Sequence, residues 1–66
     1  MKNRIRVARA EVRMTQQQLA GAVGVSRQTI NAIEAGRFVP STVLALKIAR
    51  TFGKPVEELF QLEEGE

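Results

Sequence analysis

The stretch from Met14 to Ser41, MTQQQLAGAVGVSRQTINAIEAGRFVPS, carries three helix starts and two helix stops in close succession. Thr15 is an N-cap whose capping-box partner is Gln18, three residues on. QQQLAGAV then places Leu19, Ala20 and Val23 on an inward stripe. Gly24 ends that helix as a left-handed residue, Ser26 caps the next one, RQTINAIEA, and Gly36 terminates it in the same way. Only Val25 lies between Gly24 and Ser26. Two helices of about two turns joined so tightly cannot lie antiparallel, and they match the steeply crossed helix-turn-helix pattern. Each is too short to be stable alone, so both need a core supplied by the rest of the chain.

The flanking segments supply it. Asn3 is predicted to cap a first helix running to about Arg13, with Ile5, Ala8 and Val12 facing inward and Met14 packing near its end. After RFVP, Ser41 caps TVLALKIARTF, in which Leu44, Ile48 and Phe52 recur at i, i+4, i+8 with Ala45 and Ala49 beside them, and Gly53 closes it. Pro55 starts a short helix VEELF, whose Val56, Leu59 and Phe60 close the bottom of the core. QLEEGE reads equally as a frayed end or a short strand. The expectation is an all-α, compact five-helix domain over residues 1–60, with an acidic tail at 61–66.

Composition narrows the function. The 66 residues include no cysteine and no histidine, which excludes disulfides, thiolate metal sites and Cys- or His-based catalysis. No cofactor and no metal are expected, and with no nucleophile–base pair or phosphate-cradling loop an enzyme is the least favoured class. MKNRIRVARAEVR has no apolar signal region, and no apolar run approaches the ~20 residues of a membrane span. A soluble cytoplasmic protein with no membrane partner is the expectation. The net charge of +3 conceals a segregation: residues 1–50 hold nine basic groups against Glu11 and Glu34, whereas residues 51–66 hold Lys54 against five glutamates. A basic body suggests a polyanionic partner, although composition alone fits a solvated charged surface equally well.

Placed at ~100° per residue, Ile30 and Ile33 share the inner side of the third helix. Gln28 and Ala35 lie opposite them, flanked by Arg27, Asn31 and Ala32. A purely solubilising face would carry Glu and Lys at i, i+4, and this one has no acid. Arg pairs its donors with guanine O6 and N7, Gln and Asn bond adenine N7 and N6 together, and Ala32 suits a thymine methyl. The small outward residues also let a helix sit deep in a groove. Taken by itself such a face has no particular meaning; behind a helix and a tight turn it reads as base-contacting. Glu34, between the inner and outer sides, needs a cation, and Arg9 on the first helix is the candidate; the alternative is a solvated Glu34.

These residues resemble the Cro/CI-type helix-turn-helix regulators, also called the xenobiotic-response-element family. The likeness covers about Arg4 to Phe60. It includes the Thr-Gln start of helix two, the Leu-Ala pair, the Gly-Val-Ser turn and the Ile-x-x-Ile-Glu-x-Gly ending. It implies a lambda-repressor-like fold and a prokaryotic repressor that reads a palindromic operator in double-stranded DNA as a homodimer, associated with the nucleoid when bound. It further implies that Arg27, Gln28, Asn31 and Ala32 read bases, that Gln16, Thr29 and Arg37 contact phosphates, and that Arg9 and Glu34 form a structural ion pair; Arg13 is expected, from its own place at the end of helix one, to reach a phosphate as well. Many members have glycine where this chain has Arg13, which a left-handed or turn conformation accommodates at modest cost. Phe38, Val39, Val43, Leu46 and Phe60 to Leu62 offer apolar groups for a dimer. The competing class is a protein-interaction module, such as an antitoxin or adaptor, with the acidic tail docking a protein partner.

Overall fold

The computed structural model describes residues 1–66. In chain order its elements are β1 (Lys2–Asn3), α1 (Ile5–Glu11), α2 (Gln16–Val23), α3 (Arg27–Glu34), α4 (Thr42–Phe52), α5 (Val56–Leu59) and β2 (Phe60–Gln61). Side-chain caps set the starts of the three middle helices. The Thr15 hydroxyl accepts from Gln18 N at 3.0 Å while Gln18 Oε1 accepts from Thr15 N at 2.9 Å, a complete capping box. Ser26 accepts from Thr29 N at 3.1 Å and Ser41 from Leu44 N at 3.2 Å. Gly24, with φ 77°, takes the left-handed turn that α2 needs to stop two residues before the Ser26 cap.

Every helix contributes to one core. Ile5, Ala8, Leu19, Ala20, Val23, Ile30, Ile33, Ile48, Ala49 and Leu59 are all buried, and Met14, Val25, Leu44, Phe52, Val56 and Phe60 pack against them half-buried. Burying six large aliphatic side chains at about 1.5–3 kcal/mol each is the main favourable term for a chain of this size. α2 and α3, each of eight residues, acquire their stability here.

The structure corrects the sequence reading at the two ends of the chain. The fold is mostly helical but not purely all-α, because β1 and β2 pair antiparallel, Lys2 opposite Gln61 and Asn3 opposite Phe60. Arg4 N extends the pairing by donating to Leu59 O at 2.8 Å. The strand pairing thus runs past residue 60 into the expected tail. Asn3 is not the cap of α1; Arg4 holds that position, without a side-chain cap. The Asn3 amide instead accepts from Ile5 N at 3.3 Å and donates to Ile33 O at 2.9 Å, tying β1 and the start of α1 to the end of α3. Val12 is 57% exposed, because α1 ends at Glu11 and the chain turns before Val12 completes the inward stripe. Arg13 makes that turn with φ 55°, a left-handed position that costs a non-glycine residue about 1–2 kcal/mol.

Candidate nucleic-acid interface

α3 is pinned from inside by Ile30 and Ile33, both 1% exposed or less, and this decides what faces out. Arg27 and Gln28 are exposed, Asn31 and Ala32 half-buried. Together with Arg37 they line one open depression of about 390 Å³. No carboxylate lines it, so an anionic ligand meets only donors, amides and a methyl group there. Arg37 follows the helix directly, its N–H held by Ala32 O at 2.9 Å, and its Nη2 donates to Asn31 Oδ1 at 3.1 Å. The Thr29 hydroxyl sits 3.0 Å from that of Ser26. Arg13 is exposed at the α1–α2 turn.

Glu34, the last residue of α3, is withdrawn from this face. Its side chain is 1% exposed, with Oε2 2.6 Å from Arg9 Nε and Oε1 3.0 Å from Arg9 Nη2. Gln16 Nε2 donates to Oε1 at 3.2 Å, and the exposed Arg6 lies 3.7 Å away. Burial pushes the Glu34 carboxyl up, but the Arg9 and Gln16 hydrogen bonds and the Arg9 and Arg6 charges outweigh it, and its pKa lies below the ordinary value. Arg9 also donates through Nη1 to Met14 O at 2.9 Å, so one guanidinium joins α1, the turn before α2 and the end of α3. Acidic charge is thereby neutralised behind the face that presents the basic and amide groups.

Three links were not read from the sequence. Gln16 points its amide at Glu34, Arg37 bonds Asn31, and Asn3 bonds the end of α3. Each joins residues that helical periodicity does not relate. No group of three or more His, Cys, Asp or Glu side chains is placed to hold a metal, and no helix is long and apolar enough to cross a membrane.

A helix-turn-helix family model matches residues 5–59. The chain is 50% identical over 66 residues to an uncharacterized HTH-type transcriptional regulator of Methanocaldococcus jannaschii, covering 100% of both chains. It is 48% identical over 64 residues to another, YgzD of Bacillus subtilis, covering 97% of each. Among solved structures, the restriction-modification controller protein C.AhdI from Aeromonas hydrophila superposes with a TM-score of 0.80 at 32% identity, over 86% of each chain. A turn of three residues between two capped helices, an acid-free outer face on the second of them and a match across nearly the whole folded unit lead to one conclusion: the chain belongs to the Cro/CI-type helix-turn-helix family of DNA-binding transcriptional regulators.

Proposed function

We propose that this protein is a sequence-specific repressor that lays α3 in the major groove of a palindromic operator. The observation that carries this reading is the gathering of Arg27, Gln28, Asn31, Ala32 and Arg37 around one acid-free depression, while the only acid of α3 is paired behind it. In this reading Arg27, Gln28 and Asn31 contact base edges and Ala32 a thymine methyl. Arg37, Arg13, Thr29 and Gln16 contact phosphates, Gln16 through its second amide N–H while the first stays on Glu34. Occupying a site that overlaps a promoter is the simplest output of so small a DNA-binding unit, which supports repression, exerted in the cytoplasm at the nucleoid.

The dimer is part of the proposal. Val39, Val43, Leu46 and Leu62 are 60%, 64%, 53% and 74% exposed, and Val39, Leu46, Val56 and Phe60 line an apolar depression of about 240 Å³. A second copy covering this face would set two recognition helices about 34 Å apart, one turn of DNA.

The test is selection of bound sequences from a random duplex pool, followed by affinity for the recovered site and a scrambled duplex across a salt series. A recovered palindrome whose binding weakens with salt supports the reading. The absence of sequence preference or of salt dependence overturns it. Arg27→Ala and Gln28→Ala should each cost about 1–3 kcal/mol on the selected site and relax one base position.

A further inference from the structure

We propose that Arg37 is a positioning residue for Asn31, turning its amide so that α3 presents a donor there and selects guanine. The inference rests on the reading of Asn31 as a base contact. The backbone of Arg37 is held against the helix end by Ala32 O, which leaves its guanidinium beside Asn31, with Nη2 3.1 Å from Oδ1. A guanidinium has five donors and no acceptor, so the bond decides which arm of the amide faces it. Oδ1 faces Arg37, and Nδ2 is left for an outside acceptor.

An asparagine that reads adenine must offer both arms to one base edge, Nδ2 donating to N7 and Oδ1 accepting from the N6 amino group. Here the oxygen is drawn to Arg37. Its second lone pair remains, but the amide plane is set by the guanidinium and not by the base. The remaining N–H groups of Arg37 and the guanidinium of Arg27 add further donors around the same depression. An adenine amino group would meet donors at this place. Guanine, which offers O6 and N7 as two acceptors and no major-groove donor, matches them. Arg37 thereby acts on specificity without touching the base that it selects, in addition to any phosphate contact made by its free N–H groups.

The experiment is sequence selection with the full chain in four forms: unsubstituted, Arg37→Ala, Asn31→Ala and the double variant. Both substituted positions, Asn31 on the outer side of α3 and Arg37 beyond its end, lie outside the core, and circular dichroism checks that each form is folded. Asn31→Ala identifies the position that Asn31 reads, by relaxing it. The expected result is guanine at that position for the unsubstituted chain and a shift towards adenine of about tenfold in relative affinity for Arg37→Ala. In the Asn31→Ala background, removing Arg37 should lower affinity without changing any base preference. The proposal is overturned if Arg37→Ala weakens all sequences by the same factor and leaves the base unchanged, the behaviour of a phosphate contact alone. It also falls if the unsubstituted chain selects adenine there. If Asn31→Ala relaxes no position, the base-reading role of Asn31 fails, and that outcome is separate from a failure of Arg37 to orient it.

Discussion

Glu34 and Glu66 each hold a cation, Arg9 at 2.6 Å and the terminal ammonium of Met1 at 3.0 Å, yet the first carboxylate is 1% exposed and the second 37%. Both have pKa values below the ordinary one. Glu66 is held there first by the Glu63 backbone N–H and then by the terminal ammonium. A similar shift therefore marks two different situations. At Glu66 water competes for every bond, and such exposed pairs add little to stability. At Glu34 water is excluded, and the cost of desolvation is offset only because Arg9 and Gln16 meet the carboxylate in one geometry. That geometry joins α1, α2 and α3. The buried carboxylate orients the helices that carry the side chains proposed to meet DNA, while the exposed one gathers two chain ends already paired by β1 and β2.

The largest effect that would break this comparison comes from Glu34→Ala, which leaves the Arg9 guanidinium facing an emptied site. We expect a loss of about 2–4 kcal/mol in urea denaturation at neutral pH, most of the ~3–5 kcal/mol available to a domain of this size. A loss no greater than that of a surface substitution would show that burial does not distinguish the two acids.

Acid titration comes next. Because the folded-state pKa of Glu34 is depressed, its contribution is fully present above the unfolded carboxylate pKa of about 4.3 and is lost as pH falls through the folded value. The stability difference between the unsubstituted chain and Glu34→Gln should therefore be constant near neutrality and shrink below about pH 4. A difference that persists unchanged into strong acid would mean that the charge of Glu34 is not what the variant removes.

Gln16→Ala sharpens the picture on a smaller scale. It deletes one of the bonds to Glu34 and should cost about 1 kcal/mol in the same denaturation assay, moving the acid limb of the stability profile to higher pH. Smallest of all, Glu66→Ala should leave the denaturation midpoint where it was, and 1 M salt should not enlarge the difference, since exposed charges are screened at that ionic strength. A clear drop for Glu66→Ala would place structural weight on the chain ends that the comparison denies them.

Much of the fold was legible because its punctuation is local. The helices expected from QQQLAGAV and TVLALKIARTF are α2 and α4 residue for residue, since Thr15 and Ser41 act on amides only three residues away and Gly24 and Gly53 take left-handed turns. The outward set of α3 was legible for a similar reason: once Ile30 and Ile33 are inside, a 3.6-residue period leaves no freedom for Gln28. Val12 was misread because the same period was carried one residue past the helix end. Of the β1–β2 pairing, a short strand beginning at Gln61 was one of two open readings of QLEEGE, while its partner at Lys2 and Asn3 was not read at all, because strands of two residues have too few positions to show alternation.

The sequence by itself determined where α2 and α4 start and stop, which residues of α3 face the core, and which amide and guanidinium groups are left on its outer side. Only the tertiary structure decided that the Asn3 amide ties α1 to α3, that the Glu34 carboxylate takes Gln16 as well as the Arg9 expected for it, and that Arg37 takes hold of the Asn31 oxygen. The physical reason is range. Caps and helical faces arise among residues three or four apart, where chain geometry alone brings the groups together. A side chain's choice among several partners depends on how close distant segments lie once the core has formed.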